Sequence, residues 1–196
     1  YDLLVSEKFD PKCILSTIIP NMNIIPANVD LVGAEIELVE MKSRESRLKT
    51  IINQINDYDN IIIDCPPALG LLTINGLVAA NSVIIPLQCE FFALEGLSSL
   101  MSTISSIQSS FNKDLEIQGI VLTMYDKRNL LSSLVEKDVR SHLGSKVYLT
   151  VIPRNVRISE APSHGKPVII YDTHCSGSQA YINLAKEVIK QQNKDK

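Results

Sequence analysis

The run Asn60-Ile61-Ile62-Ile63-Asp64-Cys65-Pro66-Pro67 places a lone carboxylate at the end of an apolar stretch and closes it with two prolines. A carboxylate is hard and anionic, and on a rigid strand it can position a magnesium ion through a bound water, as nucleotide hydrolases do. The same residue at a strand end can instead cap the following turn. Three more apolar runs end in polar groups: Pro86-Leu87-Gln88-Cys89-Glu90, Thr123-Met124-Tyr125-Asp126-Lys127-Arg128, and Pro153-Arg154-Asn155. Ligands of open α/β sheets bind beyond the carboxyl ends of the strands, so all four ends are expected along one rim. Each has a plainer reading as well. Pro153-Arg154-Asn155 is also good turn chemistry, Arg128 and Arg157 are also ordinary surface charges, and Glu90 and Glu95 are also acids suited to a helix start.

The elements that must hold these ends alternate in type. Residues 23–27 (NIIPA) form a short extended run stopped by proline, and residues 43–57 have a helical pattern. There Ser43 is the expected N-cap, with Leu48, Ile51, Ile52 and Ile55 on one face. Residues 60–64 are β-branched and continuous, as in a strand buried on both faces. A helix over 70–80 and a second buried strand over 82–87 follow. The helix expected over 92–111 carries Leu94, Leu97, Met101, Ile104 and Phe111 on one stripe. Strands over 116–124 and 146–153 alternate with helices over 130–143 and 177–190. The pattern predicts an α/β, doubly wound, mostly parallel sheet with helices on both faces.

Bulk properties narrow the class. The chain has 196 residues, 45% hydrophobic and 21% charged, which suits a single domain with a sizeable core. No apolar run is long enough to span a bilayer, and the first residues have neither the basic region nor the cleavage site of a signal peptide. Cys13, Cys65, Cys89 and Cys175 form no C-x-x-C pair, and His142, His164 and His174 add no ligand spacing, which argues for reduced thiols and against a metal cluster. Net charge is −3, yet residues 119–170 hold eight Lys and Arg against four acids. That stretch is therefore +4 and the remainder −7, which permits a basic face on an acidic protein.

Taken together, VGAEIEL (32–38), SRESRLK (43–49), YDNIIIDCPPALGLLTINGL (58–77), SVIIPLQCEFFALEGL (82–97), GIVLTMYDKR (119–128) and TVIPRNVRISEAPSHGKPVIIYD (150–172) resemble the ParA/Soj family of chromosome- and plasmid-partitioning ATPases. The resemblance runs from Tyr1 almost to the end and implies a P-loop NTPase-like fold. It gives Asp64 the role of the Walker B aspartate, catalytic and holding Mg2+ through water. It puts Pro153 and Asn155 in the loop that flanks adenine, with Met124 and Asp126 on the base side of an ATP pocket. The segment 88–96 matches the region facing the partner subunit in an ATP-bound homodimer. Arg128 and Arg157 match positions that grip DNA phosphates without reading sequence. At 126–131 the family commonly has Asp-Ala-Arg-Thr-Asn-Leu where this chain has Asp126-Lys127-Arg128-Asn129-Leu130-Leu131, so Arg128 is the looser match. A ParB-type centromere-binding partner, non-specific DNA and a cytoplasmic, nucleoid-associated location are further implications, with no membrane.

The sequence contains no G-x-x-x-x-G-K-[ST] and no K-G-G-x-G-K-[ST], and its glycines are too dispersed to surround phosphates with successive N–H groups. The expectation is therefore a single partial domain over 1–196, the C-terminal part of such an ATPase without its N-terminal βαβ portion. On that expectation the chain alone binds ATP weakly or not at all and tends to aggregate. Two alternatives stand beside the partitioning ATPase. One is a catalytically dead remnant that binds only DNA or a partner. The other is a MinD-like division-site ATPase, disfavoured because Lys-Gln-Gln-Asn-Lys-Asp-Lys after Ile189 offers a membrane nothing apolar.

Overall fold

A computed structural model of the chain describes residues 1–193. They fall into two compact units, Tyr1–Ser82 with Leu100–Glu116, and Val83–Ser99 with residues 117–193.

The first unit is held together by buried polar side chains that close helix ends. It contains α1 (Asp2–Ser6), an antiparallel pair of β1 (Leu15–Ser16) and β2 (Asn23–Ile24), then α2 (Leu31–Glu37), α3 (Arg47–Ile52) and α4 (Leu71–Ala79). The last carbonyls of a helix lack intrahelical partners. Buried Arg47 supplies them for α1, donating to the Leu4 carbonyl at 2.5 Å and the Val5 carbonyl at 2.6 Å. Buried Asn75 donates to the Arg44 and Leu71 carbonyls and accepts from the Leu48 N–H at 3.1 Å, joining α4 to the start of α3. Buried Asn112 closes α4 from the other end, donating to the carbonyls of Leu77, Val78 and Ala80. Around these sit Leu38, Ile51, Val78 and Ile104, all essentially inaccessible.

Two expectations fail in this unit. The helix expected over 43–57 is confined to Arg47–Ile52. Ser43 has a left-handed backbone (φ 53°), so it forms a turn rather than an N-cap, and the helix starts after Ser46. Beyond Ile52, Gln54 and Ile55 bond to the third residue back, the tighter pattern of an ending helix. Residues 60–64 are not a buried strand either. They carry no strand assignment, and the Ile62 side chain is 92% exposed. β-branched residues favour extended backbone, but a strand exists only where another pairs with it, and among the described residues none pairs with 60–64.

The second unit contains a three-stranded sheet in the order β3 (Ser82–Gln88), β4 (Glu116–Tyr125), β5 (Val147–Pro153), with β4 and β5 parallel. α5 (Ala93–Ser110), whose residues from Leu100 on are counted in the first unit, and α6 (Leu130–Leu143) make the crossovers, followed by α7 (Val156–Glu160), α8 (Val168–Tyr171) and α9 (Ser176–Gln192). This is the expected α/β arrangement of a parallel sheet with helices around it. β4 is its covered centre, with Ile120, Val121 and Leu122 buried in succession. β3 differs from the expectation of burial on both faces. Ile85 and Leu87 are buried while Ile84 and Pro86 are exposed, so one face packs and the other does not. In α5 the buried stripe is Leu97, Ile104 and Ile107, whereas Leu94 and Phe111 are exposed, the latter lying past the helix end.

β4 and β5 are joined in a particular way. Ile120 faces Val147 and Leu122 faces Val151, so two residues of β4 span four of β5. The extra residues of such a bulge leave the ladder with unpaired groups. Glu187 of α9 takes them, its carboxylate accepting from the Leu149 N–H at 2.7 Å and the Thr150 N–H at 3.0 Å. Tyr148 turns inward from the bulge and packs with Val121 and Ile152 against Leu184 and Val188. Burial pushes its phenol up to about 12, helped by the Glu187 charge. Gly119 makes room for it, since a Cβ there would lie 2.5 Å from the Tyr148 ring.

Candidate functional site

The carboxyl ends of β4 and β5 leave the sheet side by side. Leu122 faces Val151 and Tyr125 faces Pro153, so β4 carries one extra residue at its end. Met124 absorbs it with a left-handed backbone (φ 52°), which a side-chain-bearing residue seldom adopts. Past the strands, the Arg154 N–H donates to the Tyr125 carbonyl at 3.0 Å and ties the two loops together. Met124, Asp126, Pro153 and Asn155 are thus brought to adjoining strand ends, as the sequence predicts.

Asp126 spends its carboxylate on Arg128. Oδ1 accepts from the Arg128 backbone N–H at 3.0 Å and from Nε at 3.1 Å, and Oδ2 accepts from Nη2 at 3.0 Å. These bonds, first the side-chain pair and then the backbone N–H, hold the Asp126 carboxyl down to about 2, with the charge of Arg154 adding to the effect. The Arg128 side chain is 90% exposed. Asn129 then opens α6, accepting from the Leu131 N–H at 3.0 Å, which is the N-cap chemistry expected of Asn.

Asn155 repeats the motif on the other strand. Its Oδ1 accepts from the Arg157 N–H at 2.8 Å and caps α7, while Nδ2 donates to the Ser176 hydroxyl at 2.9 Å. Arg157 pairs with Glu160 at 2.8 Å and with Asp172 at 3.5 Å. Asp172 is itself held in place, because buried Ser178 donates to its carbonyl at 2.6 Å and its carboxylate accepts from the His174 and Cys175 N–H groups. Beside them is a shallow cavity of about 480 Å³ lined by Arg157, Ile170, Tyr171, Asp172, Thr173 and His174. Arg154 reaches toward Glu90 at the end of β3, at 3.9 Å. Both arginines assigned to phosphates therefore already carry acidic partners. The sequence pointed to Arg128 and Arg157 but not to those partners, although Asp-x-Arg and Asn-x-Arg were there to be read as turn and cap signatures.

Asp64 belongs to the first unit and is exposed. The turn after it is held by other groups. Thr73 donates to the Ala68 carbonyl at 2.6 Å, and Glu35 of α2 accepts from the Leu72 N–H at 3.3 Å, capping α4. Gly70 leaves room for the Glu35 carboxylate, which lies where a Cβ would be. Among the described residues Asp64 makes no side-chain hydrogen bond or ion pair, so its carboxylate is not consumed as a turn cap. A single unengaged carboxylate fits contact with a hydrated magnesium ion. Among the described residues no cluster of three His, Cys, Asp or Glu could enclose a metal. Nor is any helix among them long and apolar enough to cross a membrane.

A parallel α/β sheet with polar loops at its carboxyl edge defines the class of α/β proteins that take ligands at their strand ends, and comparison with known proteins narrows it. A family model described as "AAA domain" matches residues 1–117. The chain is 54% identical over 195 residues to the chromosome partitioning protein ParA of Caulobacter vibrioides, covering 98% of this chain and 73% of that protein. It is 53% identical over 189 residues to the sporulation initiation inhibitor protein Soj of Bacillus subtilis, covering 96% and 75%. Among solved structures it is similar to cobyrinic acid a,c-diamide synthase from Mycobacterium smegmatis with bound ADP and magnesium, with TM-score 0.82, 34% identity, and coverage of 100% of this chain and 72% of that one. The fold is that of P-loop NTPases. The chain belongs to the ParA/Soj family of chromosome-partitioning ATPases.

Proposed function

We propose that the chain acts in DNA segregation as a ParA-type ATPase: ATP drives homodimerisation, the dimer coats DNA without reading sequence, and a ParB-type centromere-binding partner stimulates hydrolysis and release. In this reading Pro153 and Asn155 flank adenine, Met124 and Asp126 border the base, and Asp64 positions Mg2+ through water. Arg128 and Arg157 contact DNA phosphates. ATP and Mg2+ supply the phosphoryl group and the charge that neutralises it.

The observation that carries the reading is the bond from the Arg154 N–H to the Tyr125 carbonyl, 3.0 Å. It makes one continuous edge of the two loops at the carboxyl ends of parallel strands, which is where such sheets take ligands. That edge holds proposed base contacts and proposed phosphate contacts two residues apart on each loop. The relatives above, 54% and 53% identical, supply the cargo.

The test is binding of random-sequence duplex DNA across a range of salt. Each phosphate contact contributes about 0.9 to the slope of log K against log salt. Arg128→Ala and Arg157→Ala should each weaken binding evenly across sequences and flatten the slope by roughly that amount. An unchanged slope removes that residue from the interface. Phosphate release by the purified chain, with and without DNA, separates an ATPase from a protein that only binds.

A further inference from the structure

The Asp126–Arg128 pair has a geometry that its position in the fold does not require. The turn after β4 is held by the bond from the Arg128 N–H to Asp126 Oδ1 and that from the Asn129 N–H to the Asp126 carbonyl, each at 3.0 Å. The guanidinium nevertheless folds back and presents Nε and Nη2 to the two carboxylate oxygens, at 3.1 and 3.0 Å. Two parallel N–H···O bonds from an arginine fork are how the side chain binds a phosphate. We propose that Asp126 is an internal occupant of the Arg128 guanidinium, holding in the DNA-free protein the face that a nucleic-acid phosphate takes on binding. The inference rests on the DNA-binding reading above and adds to it an acid that opposes it.

Three features make the contact displaceable. The Arg128 side chain is 90% exposed, so water and salt reach the pair and weaken it. Its loop is closed by the Arg128 N–H bond to Oδ1 and by the Asn129 N–H bond to the Asp126 carbonyl, each at 3.0 Å, so the fork can open without disturbing the turn. Asp126 also keeps a second cation when Arg128 leaves it, because the charge of Arg154 acts on the same carboxylate. Next to the pair, Lys127 is exposed and has no ion-pair partner among the described residues. A phosphate approaching this loop therefore meets Lys127 uncompensated and Arg128 compensated. Engaging Arg128 is an exchange of one anion for another rather than a new neutralisation.

The test uses the full chain, with and without ATP and Mg2+, and a fluorescent random-sequence duplex, and reads the condition in which the unaltered chain binds. Asp126→Asn retains the Oδ1 acceptor that holds the turn and removes the charge. It should tighten DNA binding about two- to fivefold, the range of an exposed ion pair, and steepen the salt slope by up to about 0.9. Placed on Arg128→Ala, the same change should give no gain, because nothing is left to release. Asp138→Asn, which removes an acid that faces His142 and no arginine, controls for net charge and should do less. A gain that persists without Arg128, or matches that of Asp138→Asn, overturns the proposal and leaves only bulk electrostatics. If Arg128→Ala weakens binding while Asp126→Asn does nothing, the phosphate contact stands and the internal occupant falls. If Arg128→Ala itself has no effect, the DNA reading at this loop falls and the proposal with it.

Discussion

The loops after β4 and β5 use the same local device to different ends. In each, an Asx side chain accepts from the N–H two residues on, and that residue is an arginine. In the loop after β4 the arginine stays within the turn, since the acid that holds Arg128 is the one that makes it. The loop after β5 is tied to other parts of its unit. Asn155 reaches Ser176 at the start of α9, and Arg157 meets Asp172, some fifteen residues along the chain, which is fixed by Ser178. At the start of α9, Gly177 lets Ile158 approach within 2.6 Å of where a Cβ would be. One arginine can change partners at small cost, and the other is part of what holds α7, α8 and α9 in place.

Variants can break or sharpen that difference. The largest effect should come from beneath both loops, where Gly119→Ala drives a methyl into the Tyr148 ring. Overpacking of this kind costs about 1–3 kcal/mol, and thermal unfolding should show it, with both loops affected alike. Glu187→Ala should cost about 1–3 kcal/mol by leaving two strand N–H groups without their charged acceptor. Faster hydrogen exchange at the Leu149 and Thr150 amides would identify the cause. Asn155→Ala should cost about 1 kcal/mol as a lost N-cap and loosen α7, read by denaturant midpoint and by exchange in 156–160. Asp126→Asn, the counterpart on the other loop, should shift the denaturant midpoint less than Asn155→Ala does, because its pair with Arg128 is open to solvent. Equal costs at 126 and 155 would erase the distinction drawn above.

The smallest effect is a pH dependence. The Asp126 carboxyl is held down to about 2 in the folded chain, below its ordinary value near 3.8. A depressed carboxyl contributes stability above its unfolded pKa and loses it as pH falls through the folded one. The loss should therefore fall between about pH 4 and pH 2 and be absent in Asp126→Asn, as followed by acid titration of both proteins.

Much of this was legible in the sequence where apolar periodicity and a neighbouring element agreed. The helix over 130–143 is found at those bounds because Asn129 caps it and Gly144 stops it. The strand ends carrying Met124, Asp126, Pro153 and Asn155 came together because parallel strands put like ends on one edge. The run 60–64 shows what composition cannot supply, since three isoleucines favour extended backbone but do not provide a partner strand. Short helices such as α7 and α8 went unseen because four or five residues give no period, and Asn155 was read for a ligand when it also begins a helix. The acids beside Arg128 and Arg157 were missed for a related reason. An arginine's charge is visible in sequence, but what already neutralises it depends on how the chain folds.

The Glu187 contact has a consequence for how the protein behaves in concentrated solution. β5 is an outer strand of the three, and its Leu149 side chain is 83% exposed next to the two amides that Glu187 occupies. Uncovered, those amides and that leucine would form a template onto which a strand of another molecule could add. A carboxylate carried on the last helix thus acts as a guard on the sheet edge. Shortening α9 ahead of residue 187 should appear first as concentration-dependent association, before any loss of helix or sheet content.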